Sequence, residues 1–193
     1  MFTDSKILNI SKDYKYVYLD ENGNPCVANV EIHQIAEDKD IHKWSVRKIK
    51  KMYHLTFAQV HSALAFIFDS EEDEKRAMDY GREYQRNMKS IDGYKYVVID
   101  ERGIPLIKPT TMKIELLVKE RRMFGFGVKR QQEGHPYLTI AQIHSALSYY
   151  FDYKKEIDAQ IKYWDDFVEK MRQEMGPSPL AEKIKAIREA RCQ

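Results

Sequence analysis

Leu55-Thr56-Phe57-Ala58-Gln59-Val60-His61-Ser62-Ala63-Leu64 occurs again as Leu138-Thr139-Ile140-Ala141-Gln142-Ile143-His144-Ser145-Ala146-Leu147. Two of the ten positions differ, and both remain apolar. Phe-Asp follows at the same spacing in each, as Phe68-Asp69 and Phe151-Asp152. Agreement of this length marks an internal repeat, so the chain is expected to be a tandem duplication. Each copy reads as a helix opened by a capping box. Thr56 and Thr139 take the N-cap, and Gln59 and Gln142 stand three residues on, where the amide returns to the backbone N–H of the cap.

The repeat extends outward from this stretch. Tyr14 to Leu19 alternates and is rich in strand formers. Asp20-Glu21-Asn22-Gly23-Asn24 supplies a turn, with Asn-Gly suited to positive φ at both central positions. Pro25 to Ala28 returns as a second strand. Tyr94 to Ile99, Asp100-Glu101-Arg102-Gly103 and Pro105 to Ile107 repeat the pattern. The hairpins are offset by 80 residues and the helical motifs by 83, so the second copy carries three extra residues between them. Val30 to Asp40 and Met112 to Met123 suggest first helices. Short basic segments follow, Ser45 to Met52 and Val128 to Glu133, with Ser45 as a cap and Gly127 in its place. Three short helices with a turn before the third match the helix-turn-helix plan. Charged helices are expected from Ser70 to about Met88 and from Lys154 to about Glu174, the first opening on an acidic run.

The expected fold is therefore mainly α with short β-hairpins, as two tandem copies of hairpin, helix-turn-helix and long helix related by a pseudo-twofold. The expected divisions are residues 1–91, 92–176 and a tail, 177–193. Gly176-Pro177-Ser178-Pro179 stops one helix before the next. In the tail, Leu180, Ile184 and Ile187 share a face, with Lys183, Lys185, Arg188 and Arg191 elsewhere.

A net charge of +2 gives the molecule no strong overall field, so attraction to nucleic acid must come from local patches. Two cysteines, Cys26 and Cys192, make no disulfide framework and point to a reducing compartment. The N-terminus lacks a basic segment followed by an apolar run, so no signal peptide is expected. No apolar stretch approaches the ~18 residues of a membrane span. The expected location is the cytoplasm.

Tyr137 to Asp152, followed by Lys155-Glu156-Ile157-Asp158-Ala159, resembles the family called domain of unknown function 433. Ser178-Pro179-Leu180 resembles its C-terminal end. The likeness covers the second half nearly throughout and, in the first half, the hairpin and the motif. It implies a homeodomain-like helix-turn-helix protein and an antitoxin paired with a small PIN-like nuclease. The chain departs from the family at two elements. Gly-Thr-Arg after the second strand is replaced by Pro109-Thr110-Thr111 and, in the first half, by Asn29 alone. The glycine opening the helix-turn-helix step is kept as Gly125 but is Lys43 in the first half.

Lys43, Arg47, Lys48, Lys50 and Lys51 cluster ahead of the first motif, and Lys119, Arg121, Arg122, Lys129 and Arg130 occupy the matching region of the second. In a helix-turn-helix the helix before the recognition helix crosses the phosphate backbone, so these residues would position DNA. A solvated charged face is the plainer reading. Gln59, Ser62, Gln142 and Ser145 could read base edges, glutamine pairing with adenine; Gln59 and Gln142 are equally explained as capping partners. Ala63 to Phe68 and Ala146 to Phe151 are apolar nearly all round, so that half of each helix is buried.

His61 and His144 are read as structural. Adjacent helical residues diverge, so His61-Ser62 is no base–nucleophile pair. No metal-ligand spacing, catalytic constellation or Gly-rich phosphate loop is present, so no enzyme, metal or cofactor is expected. Asp69 to Glu74 reads as a solvated helix start. Together with the resemblance, which implies the antitoxin role and the PIN-like toxin partner, these features lead to the expectation of a DNA-binding autoregulator, as a pseudo-dimer by duplication or a homodimer. The rival is a non-catalytic protein-interaction module without DNA binding. Leu180, Ile184, Ile187 and Arg188 suit docking into an acidic, apolar groove on a partner, or packing onto this chain.

Overall fold

Thr56 and Thr139 both stand at helix N-caps in the computed structural model, which describes residues 10–69 and 88–175. The capping box closes twice. Gln59 N–H donates to Thr56 Oγ1 at 3.1 Å and Thr56 N–H to Gln59 Oε1 at 2.8 Å; the Thr139–Gln142 distances are 3.2 and 2.8 Å.

The first half runs α1 (Ile10–Asp13), β1 (Tyr18–Leu19), β2 (Pro25–Val27), β3 (Val30–Glu31), α2 (Ile32–Asp40), α3 (Val46–Met52) and α4 (Phe57–Phe68). The second runs β4 (Lys89–Ser90), β5 (Val97–Ile99), β6 (Pro105–Ile107), β7 (Met112–Lys113), α5 (Ile114–Phe124), α6 (Val128–Gly134) and α7 (Ile140–Asp152), before α8 (Lys154–Met175). The class is mixed: helices with two small antiparallel sheets, ordered β1-β2-β3 and β4-β5-β6-β7. The helices expected at Val30–Asp40 and Met112–Met123 each open on a β-residue pair, because Val30 and Met112 first close a second hairpin against Val27 and Ile107.

The strands are shorter than their sequence pattern. Only Tyr18–Leu19 and Val97–Ile99 pair within the sheets, while Tyr14 and Tyr94 bridge to each other. The first turn also differs from expectation. Gly23 alone takes positive φ, at 80°, and Asp20 Oδ1 accepts from Asn22 N–H and Asn24 N–H at 2.9 and 2.8 Å. Asp100 and Gly103 repeat this turn. The side chain of the leading Asp organises each loop, so a two-residue Asn-Gly turn is not needed.

The three extra residues fall in two places. Ala28 and Asn29, both at positive φ, link β2 to β3, whereas Lys108 to Thr111 link β6 to β7. That adds two. The third lies between α6 and α7, where His135 to Leu138 stand against Tyr53 to Leu55.

The chain forms two compact units, Met1–Lys154 and Lys155–Gln193. The expected boundary at 91–92 therefore does not divide it. The physical reason is that α4 and α7 pack along each other, as helices apolar nearly all round must. Ile35, Ile49, Val60 and Leu64 in the first half and Ile107, Leu117, Ile143 and Leu147 in the second are fully buried. The helix expected over Ser70 to Met88, apart from Met88 itself, and the tail, with Leu180, Ile184, Ile187 and Arg188, lie outside the described residues.

Candidate functional site

The repeated helices carry the interior of the first unit. His61 Nδ1 lies 2.6 Å from His144 Nδ1. Phe151 stacks on His61 and Phe68 on His144, at centroid distances of 5.6 and 5.8 Å. Burial holds both imidazoles neutral. His144 is lowered to about 3 by desolvation, then by Lys39 and Arg121; His61 is lowered by desolvation, then by His144, Arg121 and Lys39.

Two carboxylates flank this pair. Asp69 accepts from Tyr14 of its own half and from Tyr96 and Lys95 of the other, Lys95 Nζ at 2.6 Å. Asp152 accepts from Tyr94 of its own half and from Tyr16 and Lys15 of the other, at 2.6 and 3.2 Å. Burial and the adjoining aspartates push the Tyr14, Tyr16 and Tyr94 hydroxyls well up, so they stay protonated and donate.

This packing corrects the base-reading assignment. Ser62, Ser145 and Gln142 are buried. Ser145 Oγ accepts from Tyr96 N–H at 3.4 Å, and Gln142 Nε2 donates to Lys108 O at 3.0 Å. None of the three is presented to a groove: Ser145 faces the Tyr96 backbone, Gln142 faces the link between β6 and β7, and Ser62 is buried as well. Gln59 stays half-exposed, lining a cleft of about 510 Å³ with Lys50, His54 and Phe57.

The basic residues lie elsewhere. Ser45 Oγ caps α3, accepting from Lys48 N–H at 3.2 Å. Lys43, Arg47, Lys48 and Lys51 are exposed, and Lys50 is half-buried with its ammonium 5.3 Å from the Phe57 ring centroid. No acidic side chain among the described residues pairs with these five. The second half is more occupied. Arg121 donates to Phe126 O at 3.2 Å and Gln131 Oε1 at 3.3 Å, Arg122 to Tyr150 OH at 2.7 Å, and Arg130 to Glu133 at 2.9 Å. Lys129 is exposed. Arg121 is accordingly a brace of the α5–α6 turn, correcting its reading as a free phosphate contact.

Sequence reasoning passed over the aromatics at these turns. Lys43 (φ 53°) and Gly125 (φ 66°) take the same left-handed conformation, each followed by an aromatic, Trp44 or Phe126. Lys39 Nζ donates to Trp44 O at 3.4 Å, the counterpart of Arg121 to Phe126 O. Lys48 Nζ lies 4.1 Å from the Trp44 ring centroid, and the Arg130 guanidinium 5.8 Å from that of Phe126. An aromatic one or two residues ahead of each basic helix was the available signal.

No group of three or more His, Cys, Asp or Glu gathers among the described residues, and none of the described helices is long and apolar enough to cross a membrane. No protein-family model, curated protein or solved structure matches this chain.

Proposed function

We propose that this is a non-catalytic nucleic-acid-binding protein of antitoxin-like type, acting in the cytoplasm through the basic turns that lead into α3 and α6. One observation carries the proposal. Lys43, Arg47, Lys48 and Lys51 form an exposed cationic face with no acidic partner among the described residues. Cations so placed neutralise phosphates and fix register without reading sequence. Burial of Ser62, Ser145 and Gln142 leaves α4 and α7 a supporting role, so binding goes through the backbone.

The proposal includes tandem duplication with approximate twofold symmetry between the halves. The reciprocal Asp69 and Asp152 contacts and the His61–His144 pair support it. One chain then supplies both half-sites that a dimer of single-copy proteins would provide. The test is a gel shift on the DNA upstream of its own reading frame, at two salt concentrations. Binding that weakens steeply with salt supports the proposal; no shift of either the duplex or its separated strands at low salt refutes it.

A second reading, a protein-interaction module, draws on α8. Trp164, Val168, Met171 and Met175 recur four, three and four residues apart and are 38–78% exposed. That is the spacing of a coiled-coil seam. In the antitoxin reading such a face, with Leu180, Ile184, Ile187 and Arg188 of the tail, would engage a PIN-like nuclease. Pull-down with an adjacently encoded nuclease, before and after deletion beyond Met175, tests it.

A further inference from the structure

The basic turns expose apolar surface that phosphates alone do not explain. Ile41, Met123 and Phe124 are 67, 70 and 59% exposed. Phe124 stacks on Phe126 with centroids 5.1 Å apart, and His42 lies against Trp44 at 6.1 Å. Each turn therefore offers flat rings beside cations: Trp44 with Lys48, Phe126 with Arg130. A duplex keeps its bases stacked inside and would leave these rings in water. A single strand offers both a phosphate chain and free base faces, and stacking on aromatics next to cations is how such strands are held without sequence preference.

The two turns are also braced alike. Lys39 braces the first by donating to Trp44 O, and Arg121 braces the second by donating to Phe126 O. Each half thus presents its own turn with a flat ring beside a cation.

We infer that these turns bind single-stranded nucleic acid, with bases stacking on Trp44 and on the Phe124–Phe126 pair and phosphates held by Lys43, Arg47, Lys48 and Lys129. The inference rests on the nucleic-acid reading above and names its substrate class. Arg130, held by Glu133 at 2.9 Å, keeps its place over Phe126 and orients that ring.

The test uses the full chain, a fluorescein-labelled oligothymidylate of twenty nucleotides, and a duplex of equal length. Fluorescence anisotropy is read at two salt concentrations. The single strand is expected to bind about tenfold tighter than the duplex and, in a Trp164→Phe background, to quench Trp44 emission. Phe124→Ala, at an exposed position, should weaken single-strand binding about tenfold, in line with the loss of one stacked base, and leave duplex binding unchanged. Trp44 packs partly on the core, so Trp44→Leu keeps its apolar bulk while removing the flat ring, and Trp44→Tyr should restore binding. Duplex binding equal to or tighter than single-strand binding overturns the inference and leaves the nucleic-acid reading standing. Phe124→Ala and Trp44→Leu both without effect also overturn it. No binding of either probe at low salt removes both. Polyglutamate competing as well as the oligonucleotide would show a surface selecting charge alone, which again overturns it.

Discussion

His61 Nδ1 and His144 Nδ1 share one hydrogen bond of 2.6 Å at the centre of the α4–α7 packing. Both rings are neutral, so one Nδ1 carries the proton and the other accepts it; the two imidazoles are opposite tautomers. His61 Nε2 is buried with no hydrogen-bond partner among the described residues. An orphaned buried N–H is rarer than an orphaned lone pair. The assignment that avoids it makes His61 the donor and His144 the acceptor.

The pair makes stability depend on pH. Folding lowers both histidine pKa values, His144 to about 3, while the unfolded chain titrates near the ordinary 6.5. Between those values the unfolded state binds more protons, so their contribution is complete above about pH 6.5 and is lost as pH falls toward 3. Urea midpoints from pH 7.5 down to 5 should fall for the natural protein and change less for His61→Gln/His144→Gln. Parallel pH profiles for the two proteins would contradict the neutral pair.

Asp69 and Asp152 make matching contacts at unequal depth. The Asp69 side chain is 5% exposed and its Lys95 partner 10%, against 15% and 41% for Asp152 and Lys15. Removing Asp69 takes a buried carboxylate away from Lys95, Tyr14 and Tyr96, so Asp69→Ala should cost roughly 3–5 kcal/mol. Asp152→Ala should cost less, about 1–2 kcal/mol, because water reaches Lys15. Equal denaturation midpoints for the two variants would show that depth does not set the cost.

Thr56→Ala and Thr139→Ala should each cost about 1 kcal/mol, the usual loss of an N-cap. The second should cost more, since Thr139 and Gln142 are buried while Thr56 is exposed. Chemical denaturation of both variants measures this, and no loss in either would remove the capping box from the energetics.

These caps show what a sequence exposes. Thr56, Gln59, Ser45 and the limits of α3, α4, α7 and α8 follow from contacts a few residues apart, which local pattern records. The apolar character of Ala63 to Phe68 likewise announces burial. It does not say against what, and the answer, α7, lies 83 residues away at the histidine pair. Base-reading roles for Ser62, Gln142 and Ser145 fail because all three are buried, Gln142 on Lys108 O and Ser145 on the Tyr96 backbone. The Tyr-Lys-Tyr runs look like strands because they alternate. Tyr16, Lys15, Tyr96 and Lys95 instead reach the aspartates of the opposite half, a contact that no local window contains.

The proposed binding runs through the basic turns and not through the repeated helices. It is tested most directly by the salt dependence of binding, by anisotropy, for the natural protein and for Lys43→Ala/Arg47→Ala/Lys48→Ala/Lys51→Ala. The replacement should weaken binding on every sequence alike and flatten the slope of log affinity against log salt. Gln59→Ala, measured beside it, should leave sequence preference unchanged. An unchanged affinity and slope after the four replacements, or a sequence preference that shifts with Gln59→Ala, would contradict the claim.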